Sequence, residues 1–253
     1  MKIGVLGTGY NCAEYFHQVL EPWLQYKEKN GDLIISAVSG QFTENELLES
    51  DNTKELMLGA FNTKKIDYLA LPVGAFDEAA IRNFALSPLL QENVDLVWLL
   101  DFDEIYKLEE IEKALLYTNQ NPLDACFKIE FKNYVFADNT YIKGFCPRRI
   151  WRKEIQHLKL NKFIWDNDCA YADSNNNMFP DSEFSALKIP ANLLNPKHLT
   201  WLDNERSKQK CGYQEKHFVN GAGCSFKWEE GYLKWNLDYF KKTGQSLPIL
   251  HQE

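Results

Sequence analysis

Five consecutive apolar residues, Leu96-Val97-Trp98-Leu99-Leu100, run directly into Asp101-Phe102-Asp103-Glu104. A continuous apolar run of this kind reads as a strand buried on both faces, as in a parallel sheet covered by helices. The segments before it supply the alternation such a sheet needs. Lys2–Leu6 reads as a short strand ended by Gly7-Thr8-Gly9. Ala13, Phe16, Leu20 and Leu24 recur at helical spacing, with a kink expected at Pro22. Residues 33–38 read as a second strand closed by Ser39-Gly40. Asp77 is placed to cap a helix carrying Ile81, Phe84 and Ala85, which Pro88 is expected to end or kink.

After residue 105 the pattern changes. A helix over 107–117 has Leu108, Ile111 and Leu115 inward and acids outward. Residues 126–132 then alternate apolar with charged, the pattern of an antiparallel strand with one wet face. The expected fold is therefore α/β, with a mixed, mainly parallel sheet flanked by helices. Residues 1–105 form one half, and residues 106–253 form a second half sharing the same sheet in a single domain.

The chain of 253 residues is 45% hydrophobic and 25% charged, enough for a sizeable core, which excludes disorder and a disulfide-stapled miniprotein. A net charge of −8 argues against nucleic acid or an anionic membrane as the main partner. No apolar run approaches the roughly 20 residues of a membrane span, and the first residues lack a signal-peptide core. The six cysteines have no CxxC pair and read as free thiols, so a cytoplasmic setting is expected.

In open α/β sheets ligands bind beyond the carboxyl ends of the strands, which is where Asp101, Asp103 and Glu104 fall. Two carboxylates at i and i+2 repel unless a cation compensates, and hard oxygen ligands suit Mg²⁺ or Mn²⁺. The plain alternative is a solvated acidic turn capping the following helix, with Glu104 only a helix-start acid.

The stretch Val94–Glu104 resembles the strand and DxD motif of GT-A fold nucleotide-sugar glycosyltransferases of the family 2 type. The helix bearing Arg82-Asn83 and the opening Gly9-Tyr10-Asn11-Cys12-Ala13-Glu14 resemble two further segments of that family, in the expected order. The resemblance implies a metal-dependent transferase that moves a sugar from a nucleoside-diphosphate donor to an acceptor hydroxyl, with inversion. The acceptor is a glycan, lipid or protein. Residues 1–105 would then bind the nucleotide sugar and 106–253 the acceptor. It further implies Gly9, Tyr10, Asn11 and Arg82 at the nucleotide, Asp101 at the ribose or metal, and Asp103 on the metal.

Three arginines surround a tryptophan in Arg148-Arg149-Ile150-Trp151-Arg152, which resembles a later family segment and adds Arg149 to the nucleotide site. The alternative is a strand edge with solvated charges. The resemblance implies a late histidine as third metal ligand, here His198 with His217 in reserve; a lone histidine is also often only structural. Among Asp166, Asp168, Asp173, Asp181 and Glu183, Asp181 is the expected catalytic base, or else a helix cap. Trp165, Trp201, Trp228 and Trp235 are available as sugar platforms or core.

Two other readings stand beside this one. Gly7-Thr8-Gly9 followed by Cys12 also fits a Rossmann fingerprint for an NAD(P)-dependent oxidoreductase, whose pyrophosphate would sit on a helix N-terminus. That fingerprint wants an acid after the second strand, where Ser39-Gly40 stand. The remaining reading is a non-catalytic nucleotide-sugar-binding protein.

Overall fold

The apolar run at 96–100 becomes the middle of a sheet, each of its side chains fully buried. Removing one such large side chain from water contributes at most about 1.5–3 kcal/mol. The computed structural model describes residues 1–40, 51–72, 77–164, 168–202, 207–208, 211, 225–230 and 232–253. Contacts divide the chain into two compact units, residues 1–130 with 146–196, and residues 131–145 with 197–253. Strands from both sides of residue 105 hydrogen-bond into one sheet.

The first unit begins β1 (Ile3–Gly9), α1 (Phe16–Asn30), β2 (Leu33–Ser39), α2 (Thr53–Asn62) and β3 (Tyr68–Ala70). It continues α3 (Glu78–Gln91), β4 (Leu96–Asp101), β5 (Glu104–Ile105), α4 (Leu108–Gln120) and β6 (Cys126–Lys128). Residues 131–145 of the second unit hold β7 (Lys132–Val135) and β8 (Thr140–Ile142). The first unit then resumes with β9 (Arg148–Arg152), β10 (Glu154–Ile155), β11 (Leu158–Phe163), β12 (Cys169–Ala172), β13 (Met178–Pro180) and β14 (Ala186–Lys188).

Among the described residues, seven strands form the main sheet in the order β14-β6-β9-β4-β1-β2-β3. The β14–β6, β4–β1, β1–β2 and β2–β3 pairs are parallel, and β9 is antiparallel to both neighbours. The fold is thus α/β, with a mixed, mainly parallel sheet flanked by helices. Alternation along β1 sorts the helices. A Cβ at Gly4 would touch Leu89 of α3, whereas one at Gly9 would meet Met57 of α2 from the opposite face. Trp23 of α1 packs edge-on against Trp98 of β4 and Tyr106. Strands β10–β13 form a second sheet, whose Leu158, Leu160, Phe163 and Tyr171 join Ala85, Leu86 and Leu89 of α3 in one core.

Local signals behave as their chemistry dictates, with two exceptions. Asp77 caps α3 by accepting from the Ala80 amide at 2.7 Å. Pro88 does not end that helix, which continues to Gln91 with Leu89 fully buried against the sheet. The alternation at 126–132 yields two short strands, because Ile129 and Phe131 donate instead to the Pro147 and Phe145 carbonyls.

The second unit also contains β15 (Lys197–Trp201), β16 (Phe226–Glu229), β17 (Tyr232–Trp235), α5 (Leu237–Thr243) and β18 (His251–Gln252). There β15 runs parallel to β7, while β8 pairs antiparallel with β7 and with β18. Its core gathers Val135, Ile142, Trp201, Cys211 and Phe226.

Candidate functional site

The acidic loop is aimed by the residue between its aspartates. Asp101 is the last residue of β4, and the Phe102 amide donates to the Thr8 carbonyl at 2.9 Å. The Phe102 ring is fully buried and stacks on Phe16 of α1 at 5.1 Å. It lies on the face of β1 where Gly7 and Gly9 carry no side chain. A Cβ at Gly7 would come within 2.7 Å of the ring, so the glycine is required by this contact. With Phe102 anchored, Asp101 and Asp103 are held at the carboxyl end of β4.

The arginines close on this loop rather than on solvent. From α3, the Arg82 Nη2 reaches Glu78 Oε1 at 2.6 Å and Asp101 Oδ1 at 3.1 Å. β9 is antiparallel to β4, with Ile150 opposite Trp98, so Arg149 sits one step nearer the carboxyl end of β4. Its Nη2 reaches Asp101 Oδ2 at 2.9 Å and Glu104 Oε1 at 2.6 Å, and its Nε donates to Glu104 Oε1 at 2.9 Å. The Tyr106 hydroxyl donates to Glu104 Oε2 at 3.0 Å. Arg82, Arg149, Asp103 and Glu104 are all at least nine-tenths buried.

Three carboxylates (Glu78, Asp101, Glu104) therefore face two guanidiniums, with Asp103 on the same loop as Asp101 and Glu104. Burial pushes Glu104 up to about 8, helped by the Asp101 and Asp103 charges and opposed by Arg149. Burial works against the charge on Arg149, but Glu104 and Asp101 outweigh it and hold the guanidinium above the ordinary arginine value. The donor set is hard oxygen. Mg²⁺ is commonly held by one or two carboxylates with substrate phosphates filling its shell, so Asp101 and Asp103 fit such an ion. Among the described residues no three His, Cys, Asp or Glu side chains are grouped as a metal shell by themselves.

The loop after β1 has a different construction from a pyrophosphate-binding turn. Gly7 and Gly9 lie inside β1, paired with Ala37 and Ser39. The amides of Cys12 and Ala13 donate to Thr53 Oγ1 and Asp51 Oδ2, both at 2.7 Å. The glycines serve packing and the amides are taken by side chains, which removes the basis of the Rossmann reading. Tyr10 and Asn11 are half-buried, and Asn11 holds a left-handed φ of 52°.

Two further expected residues, Asp181 and His198, are buried. Asp181 does not present an accessible base. It is fully buried in a single 3₁₀ turn, its Oδ2 accepting from Trp151 Nε1 at 2.9 Å, with Arg148 Nε at 3.7 Å. Burial raises its pKa. His198 belongs to the second unit, buried beside Phe131 and Phe145, with Nδ1 2.7 Å from Asn133 Oδ1. Asn83 makes a paired bond to the Phe163 backbone, joining α3 to β11. Arg152 binds the carbonyls of Thr118, Asn121 and Asp124 at the end of α4, and Arg148 binds Asp168 at 2.5 Å. Trp165, Asp166 and His217 lie outside the described residues.

Three participants were not foreseen as such. Glu104 is no helix-start acid; Lys107 occupies the cap of α4, and Glu104 is the buried partner of Arg149. Glu78 was marked only by its i,i+4 spacing to Arg82. Asp51 had no local signal.

No protein-family model and no curated protein matches the sequence. Among solved structures, the chain is similar to S. aureus TarS 1–349 in complex with UDP. That match has 17% identity and a TM-score of 0.41, covering 54% of this chain and 37% of that one. The same fragment in complex with UDP-GlcNAc matches at 18% identity and a TM-score of 0.40, over 54% and 36%. A nucleoside-diphosphate-sugar pyrophosphorylase from Vibrio cholerae RC9 matches at 10% identity and a TM-score of 0.33, over 78% and 91%. This chain thus spans little more than a third of the TarS fragment, and likeness at these TM-scores identifies neither substrate nor activity. Among the described residues no helix is long and apolar enough to cross a membrane.

Proposed function

We propose that the chain is a metal-dependent glycosyltransferase that uses a nucleoside-diphosphate sugar. The observation that carries this reading is the Asp101-Phe102-Asp103 loop, with Phe102 locked beneath β1 and two carboxylates held at the strand's carboxyl end. Asp103 would be the direct ligand of Mn²⁺ or Mg²⁺. Asp101, engaged by Arg82 and Arg149, would be held in place for the ribose or for metal-bound water. When bound, the ion offsets the charge on the diphosphate as the sugar leaves.

The two guanidiniums act through Asp101, since both are buried and their bonds run to carboxylates. Tyr10 and Asn11, half-buried at the carboxyl end of β1, would flank the nucleotide. The acceptor is a glycan, lipid or protein hydroxyl, and transfer is taken to invert the anomeric carbon.

Thermal unfolding with UDP or GDP plus Mn²⁺ tests this reading. The wild type is expected to be stabilised by one nucleoside diphosphate only when metal is present, and Asp103→Ala to lose that response. Stabilisation by NAD(H) without metal, or none by any nucleoside diphosphate, would overturn it. Slow metal-dependent hydrolysis of the matching nucleotide sugar separates a transferase from a protein that only binds.

A further inference from the structure

Resting on that reading, we propose that Asp51 is the positioning residue of the nucleotide loop. It fixes Tyr10 and Asn11 in the conformation that receives the donor's nucleoside.

The loop between β1 and α1 makes a sharp left-handed step at Asn11, where φ is 52°. Asparagine tolerates this conformation better than most residues, and its neighbours here hold it in place. The residues leading into α2 do this. Asp51 Oδ2 accepts from the Ala13 amide at 2.7 Å. Its Oδ1 accepts from the Thr53 amide at 2.9 Å and from the Thr53 hydroxyl. Thr53 Oγ1 in turn accepts from the Cys12 amide at 2.7 Å. The Asp51 amide donates to Asn11 Oδ1 at 3.2 Å, which returns a bond to the residue at the left-handed step.

The result is a closed ring of hydrogen bonds through Asn11, Cys12, Ala13, Asp51 and Thr53. Thr53 is buried, and Met57 on the next turn of α2 fills the space above Gly9. The Asp51 carboxylate therefore holds the Ala13 amide directly and the Cys12 amide through Thr53. Bonds from a charged acceptor to backbone amides are stronger than neutral ones, and this one acts immediately beside the two residues assigned to the nucleotide. A loop whose side chains must meet a ligand in one pose gains affinity from being held there before binding.

The test compares wild type, Asp51→Ala, Asp51→Asn and Thr53→Val by calorimetric titration with Mn²⁺ and whichever of UDP, GDP or dTDP the wild type binds. Donor KM and kcat are measured alongside. Asp51→Ala is expected to weaken binding about tenfold and raise donor KM similarly, with kcat within about twofold of wild type. Asp51→Asn keeps one oxygen acceptor and is expected to recover to within about threefold, and Thr53→Val to fall between them. Hydrogen exchange at the Cys12 and Ala13 amides is expected to quicken in Asp51→Ala. Wild-type binding unchanged by Asp51→Ala would overturn the role of Asp51 alone. Absence of binding to any of the three by the wild type would overturn both the function and the role assigned here.

Discussion

Arg148 and Arg149 are neighbours on one strand and take opposite places in the molecule. Arg149 is buried and pairs with both Asp101 and Glu104. Arg148 is about one-fifth exposed and pairs with Asp168, itself 41% exposed, while only its inner edge approaches buried Asp181. The same side-chain type is thus a fixed element of the acidic loop at one position and a partly solvated pair at the next. The contrast separates a charge fixed against the acidic loop from one paired near solvent.

Breaking the Arg149 pair should have the largest effect. Arg149→Ala leaves buried Glu104, and Asp101 beside it, without their shared cation, a change expected to cost about 3–5 kcal/mol in denaturant unfolding above about pH 8, where Glu104 is charged. A loss under about 1 kcal/mol would erase the distinction between the two arginines. Next in size, Trp151→Phe removes the donor to buried Asp181 Oδ2 and is expected to cost about 1–3 kcal/mol. That result would show that Asp181 acts as an internal acceptor.

A pH series sharpens the comparison further. The folded-state pKa of Glu104 is raised from 4.5 to about 8, so the native state holds a proton the unfolded chain has released between those values. This contribution to stability is complete below about 4.5 and is lost as pH rises toward about 8. Glu104→Gln should flatten the fall in stability across that window, whereas Asp168→Ala should leave it intact. Smallest of all, Asp168→Ala is expected to change stability by less than about 1 kcal/mol, because its pair with Arg148 is open to solvent.

Much of the frame was legible before any coordinates. The apolar run at 96–100 demanded a doubly covered strand, and Asp77 marked the start of α3 through its own side-chain chemistry. Asp101 and Asp103 followed from a run of apolar residues stopping at acids. Pro88 does not end α3, because a helix tolerates a proline whose missing bond is outweighed by tertiary burial of the residues beyond it, Leu89 among them.

Gly7 and Gly9 were legible as a constraint but not as to its cause. Two glycines two residues apart fit a phosphate-binding turn as well as a strand face making room for a ring. Only the arrival of Phe102 from β4, 95 positions beyond Gly7, separates the two. A shorter separation, about 40 positions, was enough to hide Asp51 from the loop it holds.

What the sequence determined alone is the set of short-range outcomes: strand or helix, the α/β class, and an acidic loop at the end of a buried strand. These follow from periodicity, capping and burial, which act over a few residues. What only the tertiary structure decided is which charges face each other. Arg149 meets Glu104 because β9 runs antiparallel beside β4, and Asp181 turns inward because Trp151 offers it a buried donor. A charge withdrawn from water depends on its nearest opposite charge or donor, and strand order, not local pattern, selects that neighbour.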